Sequence, residues 1–87
     1  MDELFKALSD KNRRKILELL KQKDMSVSEL LTHFTITQAS LSHHLDILKR
    51  AKLVTNTKKG QFIYYSLNVS VFEEILQGMY SFFGKDT

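Results

Sequence analysis

The chain has 87 residues, with 13 Lys and Arg against 10 Asp and Glu and a formal net charge of +3 when the histidines are neutral. That length suits one domain with a modest core. The absence of cysteine excludes disulfides and thiolate metal ligands, and without a membrane-length apolar run or a signal peptide the expected location is the cytoplasm. The basic charge is unevenly spread. Lys49, Arg50, Lys52, Lys58 and Lys59 fall together with no acid among them, whereas Glu73 and Glu74 are the only charges from Gln61 to Gly84. This pattern separates a charged working surface from an apolar packing surface.

Asp2 to Ser9 reads as a short helix with Leu4, Phe5 and Leu8 as its apolar stripe and Asp2 and Glu3 at its positive end. Ser9 or Asp10 is available to cap a second helix, Lys11 to Gln22. Its inner side is expected from Ile16, Leu19, Leu20 and the stem of Lys23, with Leu17 widening the stripe. Arg13 and Arg14 oppose the dipole at its start. They read first as solvated charges paired with nearby acids, and second as a source of one phosphate contact, assigned to Arg14. Ser26-Val27-Ser28-Glu29 has the spacing of a capping box. It predicts a third helix ending near His33 or Phe34, with Phe34 and Ile36 packed inward and His33 a surface or turn residue.

Thr37 then caps a fourth helix. Leu41, Leu45 and Leu48 share its buried face, and Gln38, Ser42, His43, Asp46, Lys49 and Arg50 lie opposite. A thin apolar seam backed by hydrogen-bonding groups suits a DNA major groove, although by itself the stretch fits an ordinary amphipathic surface helix equally well. Neighbouring helical positions diverge by about 100°, so His43 and His44 do not form a metal pair. His43 faces outward, and His44 is expected to pack near the seam with one ring nitrogen bonded locally. The third helix, a three-residue connection and the fourth helix make a helix-turn-helix candidate.

After Ala51 the periodicity changes. Leu53 to Thr57 reads as a strand, Lys58-Lys59-Gly60 as a turn and Gln61 to Leu67 as the returning strand. A two-stranded ribbon needs helices to pack on. With a basic tip it forms a wing able to reach phosphates or a minor groove. Asn68 is the expected cap of a last helix, from Val69 to about Phe83. Phe72, Ile75, Leu76, Met79 and Phe83 recur there at steps of three and four, broadened by Tyr80 and Phe82. So much apolar surface predicts a homodimer pairing on this helix, with the Leu4–Phe5–Leu8 helix beside it. The alternative is that both helices wrap a single core.

Three segments, LSDKNRRKILELL, SVSELLTHFTITQASLSHHLDILKRAKLV and KKGQFIYYSL, resemble in wording and order the ArsR/SmtB family of winged-helix repressors. The wing wording and the Arg-Arg-Lys-Ile-Leu run are similar to its SdpR-type autorepressors. The resemblance implies an α/β, mainly α, winged helix-turn-helix with about five helices and a two-stranded wing. It further implies dimers through the first and last helices and repression from partly palindromic operators. The domain is expected over 1–87, with a dimerisation helix at 69–84.

The family's reading residues fall on Gln38, Ser40, Ser42 and His43. Backbone or wing contacts are assigned to Lys49, Arg50, Lys58, Lys59 and Arg14, and the dimer interface to Leu4, Phe5, Leu8, Phe72, Ile75, Leu76, Met79 and Phe83. Family prolines are replaced by Lys11 and Ala39, both good helix formers. A Cys-Val-Cys metal box aligns with Ser26-Val27-Ser28, where hydroxyls do not replace thiolates. The last helix has no histidine, and Glu73 and Glu74 are adjacent. Metal sensing, a cofactor and catalysis are therefore not expected. The SdpR likeness instead implies release by a membrane-protein anti-repressor. A protein-interaction module and a DNA-binding activator are the alternative readings.

Overall fold

Local caps divide the chain into its elements. The computed structural model describes residues 2–84; position 1 and positions 85–87 of the expected domain lie outside the described residues. In order the elements are α1 (Asp2–Leu8), α2 (Lys11–Gln22), β1 (Met25–Ser26), α3 (Val27–Leu31), α4 (Gln38–Arg50), β2 (Val54–Lys59), β3 (Phe62–Leu67) and α5 (Val69–Phe83). This is the expected winged helix-turn-helix, with one added strand.

Asp10 caps α2 by accepting from the backbone N–H groups of Asn12 at 2.7 Å and Arg13 at 3.2 Å. Ser26 and Glu29 exchange reciprocal side chain–backbone bonds at the start of α3, and the Thr37 hydroxyl accepts from Ser40 N–H at the start of α4. Asn68 departs from expectation, since its side chain makes no cap bond. Its backbone carbonyl accepts from the N–H groups of Val71 and Phe72 instead.

α3 is shorter than expected. From Thr32 to Phe34 each N–H bonds the carbonyl three residues back, a tighter turn than an α-helix makes. The Thr32 hydroxyl ties back to Glu29 O at 2.7 Å. Lys15 Nζ donates to His33 O and lies 4.7 Å from the centre of the Phe34 ring, which holds the turn against α2. The connection to α4 therefore covers residues 32–37 rather than three residues.

The sheet is antiparallel with strand order β1-β3-β2. β1 was not expected: it has only two residues, and one of them, Ser26, belongs to a helix-capping signal. Met25 pairs with Tyr65 and Ser26 with Tyr64. Lys58 and Lys59 are paired strand residues, opposite Ile63 and Phe62, rather than turn residues. The reversal occurs at Gly60, whose φ of +63° suits glycine in a tight hairpin turn.

The core gathers Ala7, Ile16, Leu17, Leu20, Met25, Leu30, Leu41, Leu45, Ile47, Leu48, Leu53 and Val54. On α2, Leu17 is central while Leu19 is half-buried. Lys23 is exposed and pairs with Glu29 at 3.5 Å, so its stem is not part of the inner face as expected. Phe34 and Ile36 pack against the core as expected. α5 contributes only half-buried Val71, Phe72 and Ile75, and no residue of it is fully buried. Leu76, Met79, Tyr80, Phe82 and Phe83 are exposed on α5, as is Phe5 on α1. Among the described residues no helix is long and apolar enough to cross a membrane.

Candidate nucleic-acid interface

Burial on one side of α4 determines what its other side offers. Leu41, Leu45, Ile47 and Leu48 lock the back of the helix into the core, together with the His44 ring. Gln38, Ser42, His43, Asp46, Lys49 and Arg50 are exposed. Gln38, Ser42 and Asp46 follow one another at four-residue steps and line one outward row. Ser40 is half-buried, so Gln38, Ser42 and His43 form the accessible part of the expected reading set. At the far end Arg50 Nη2 is bound to Asp46 Oδ2 at 3.0 Å, an exposed pair one turn apart.

The wing splits its two lysines. Successive strand residues face opposite sides. Val54, Asn56 and Lys58 therefore share the side that begins in the core, while exposed Thr55, Thr57 and Lys59 share the solvent side. Lys59 Nζ lies 5.4 Å from the centre of the Tyr64 ring, a cation–π distance that steadies the charge. Exposed Phe62 stands directly across from Lys59.

The two N-terminal arginines behave differently. Arg14 is exposed, donates to Leu8 O at 2.7 Å and borders a groove with Leu17, Glu18, Lys21, Leu67, Val69 and Phe72. It stands on α2, on the side of the groove toward β3 and α5.

Arg13 is 7% exposed, which corrects its reading as a solvated charge. Its guanidinium donates from Nε to Ala7 O at 3.0 Å and from Nη2 to Lys6 O at 2.8 Å, and Nη1 lies 3.1 Å from His44 Nδ1. A guanidinium only donates. The His44 Nδ1 therefore accepts, and the neutral ring carries its proton on Nε2. The signal for this burial was present in the sequence: Arg13 precedes Ile16, Leu17 and Leu20 by three, four and seven residues, on the apolar stripe. His44 packs beside the seam as expected, but its ring bonds Arg13 of α2, 31 residues away, rather than a local partner.

Charge around this cluster follows from the same geometry. Burial pushes the His44 imidazole below its ordinary range; the Asp10 charge opposes this, while Arg13 and His43 add to it. For Asp10, partial desolvation raises the carboxyl. The Asn12 and Arg13 N–H bonds and the nearby His44 and Arg13 outweigh it, for a net lowering. Among the described residues no group of three or more His, Asp or Glu side chains is placed to hold a metal ion. In the segment aligned with the metal box, the Ser26 hydroxyl is occupied by the α3 cap and Ser28 is exposed.

Residues 10–56 match the family described as "Bacterial regulatory protein, arsR family". The chain is 49% identical over 85 residues to the transcriptional repressor SdpR of Bacillus subtilis (strain 168), covering 98% of this chain and 94% of that protein. It is 37% identical over 79 residues to the arsenical resistance operon repressor of Staphylococcus aureus, covering 91% and 76%. Its fold is similar to the solved structure of HlyU from Vibrio cholerae N16961, with a TM-score of 0.75, 30% identity and coverage of 93% of this chain and 88% of that one. HlyU of that species is named a transcriptional activator. The winged helix-turn-helix with its exposed α4 face and basic wing accords with these likenesses: the chain belongs to the ArsR family of bacterial DNA-binding transcriptional regulators.

Proposed function

We propose that this protein is a homodimeric, sequence-specific repressor that binds duplex operator DNA and regulates its own gene. The observation that carries the reading is α4: its back is locked in the core, while Gln38, Ser42 and His43 stand exposed beside a basic ribbon. Glutamine can pair bidentately with adenine, and serine hydrogen-bonds less selectively. His43 is suited to donate to guanine or to a phosphate. Lys58, Lys59, Lys49, Arg50 and Arg14 are the backbone candidates, with Arg50 weakened by its bond to Asp46. The whole chain acts as one module. A partner copy covers Leu4, Phe5, Leu8, Phe72, Ile75, Leu76, Met79 and Phe83, and a two-fold dimer then reads half-sites about 34 Å apart, one helical turn.

Repression is supported by the likeness to SdpR. The serines in place of the metal box, one of them committed to a cap, support release by something other than a metal ion. The SdpR-type likeness supports a membrane-protein anti-repressor as the releasing partner. Activation is the second reading, supported by the likeness to HlyU.

Each phosphate neutralised on duplex DNA contributes about −0.9 to the slope of log affinity against log salt. The expected result for a Lys58→Ala, Lys59→Ala double variant is weaker binding and a slope shallower by about 1–2. An unchanged affinity and slope would remove the wing from the interface. Gln38→Ala and Ser42→Ala should reduce binding to a selected duplex more than to a scrambled one. Equal losses on both would make those residues positioning contacts.

A further inference from the structure

The recognition helix is tied to the first helix through one buried side chain. Arg13 holds the Lys6 and Ala7 carbonyls of α1 with one part of its fork and meets the α4 ring of His44 with another. Those carbonyls belong to the last turn of α1, where the helix's own bonds run out; the Lys6 carbonyl is shared with the Ser9 hydroxyl, which donates to it at 2.8 Å. α1 also presents exposed Phe5 on the surface assigned to dimer contacts. Two helices that meet different partners thus share one guanidinium. The distances leave little slack, and a buried donor without an acceptor costs stability.

We propose that the Arg13–His44 hydrogen bond is a positioning device: it sets the seat of α4, and so its fit to duplex DNA, according to how α1 is held. The inference rests on the DNA-binding reading above. Neutral His44 is its working form. A proton on Nδ1 removes the acceptor and places a second positive charge against Arg13. The charged groups that act on the ring are Asp10 from the α1–α2 turn, Arg13 from α2 and His43 from α4 itself. From α1 the groups in the cluster are the two carbonyls that hold Arg13. Acidification therefore releases α4 from Arg13 and weakens specific binding.

The test compares the wild type with His44→Asn, whose side-chain oxygen branches from the same carbon as Nδ1, accepts a hydrogen bond and does not titrate. The probe is a duplex selected by the wild type from a randomised pool, with a scrambled duplex as control. The two proteins are expected to bind the selected duplex alike at pH 8. By pH 5.5 the wild type should bind about two- to fivefold more weakly than His44→Asn, since one linked proton allows at most about tenfold per pH unit and burial holds the His44 ring below its ordinary range. In the free wild-type protein, the Lys6 and Ala7 amide resonances should shift with the midpoint of the His44 ring, and remain flat in His44→Asn.

A wild-type to His44→Asn affinity ratio that is constant with pH, with α1 resonances indifferent to the His44 titration, overturns the proposal. Lack of discrimination between selected and scrambled duplexes by the wild type would strike the DNA-binding reading instead; the α1 resonances then decide the coupling alone.

Discussion

Helix α4 ends in a left-handed turn occupied by a residue that carries a side chain. Lys52 has φ +63°. Its N–H donates to Lys49 O at 2.9 Å, and the N–H of Leu53 reaches Leu48 O at 3.0 Å. These are the paired bonds of a Schellman cap, with fully buried Leu48 and Leu53 supplying its apolar contact. A left-handed conformation costs an L-residue about 1–2 kcal/mol. Lys52→Gly relieves that strain and loses about 0.4–1 kcal/mol through the freer unfolded chain. The expected net gain is about 0.5–1 kcal/mol, a rise in Tm of roughly 2–8 °C for a domain of this size. Lys52→Ala keeps the Cβ and removes only the long charged stem, so it should leave Tm nearly unchanged. Thermal melts at one fixed protein concentration make the comparison, because the proposed dimerisation would make Tm concentration-dependent. A glycine variant no more stable than the alanine variant would refute the strain argument.

Removing the α2 cap with Asp10→Ala should cost about 1 kcal/mol in denaturant titration at neutral pH. Because the folded-state Asp10 pKa is lowered, its stabilisation is present above the unfolded carboxylate value and fades as pH falls through the folded one. A wild-type-to-variant difference that grows on acidification would contradict the sign. Leu45→Ala, at a site 1% exposed, should cost about 2–5 kcal/mol by chemical denaturation; a loss below about 1 kcal/mol would mean that the α4 seam readily collapses around the gap. Leu76 is 64% exposed on α5, so Leu76→Glu should preserve the protomer and yield monomers in sedimentation. A dimer unaffected by that charge would place the interface elsewhere.

What could be read from the chain was set by contacts between near neighbours. Asp10, Ser26 with Glu29, and Thr37 cap helices through bonds spanning two or three residues, so their spacing alone announces α2, α3 and α4. The i, i+4, i+7 leucines of α4 identify its buried seam, and by exclusion the outward row containing Gln38 and Ser42. Gly60 marks the hairpin reversal. Asn68 shows the limit of this local reasoning: a good capping residue by type, it leaves the work to its backbone carbonyl.

The remaining features depend on partners far away in sequence. β1 exists because Met25 and Ser26 meet Tyr65 and Tyr64. α3 gives way to a tight turn whose carbonyl and Phe34 ring are met by Lys15 from α2. The strand register puts Lys58 and Lys59 on opposite sides of the ribbon instead of together in a turn. Arg13 differs most from its local reading: charge type suggests solvent, whereas two α1 carbonyls and one α4 ring provide the acceptors that make its burial tolerable. Sequence by itself determined the helices, the exposed side of α4 and the apolar surplus of α5, because periodicity and capping act over a few residues. Only the tertiary structure decided which charges are free to meet a duplex and which hold helices together, because that depends on acceptors supplied by distant parts of the chain.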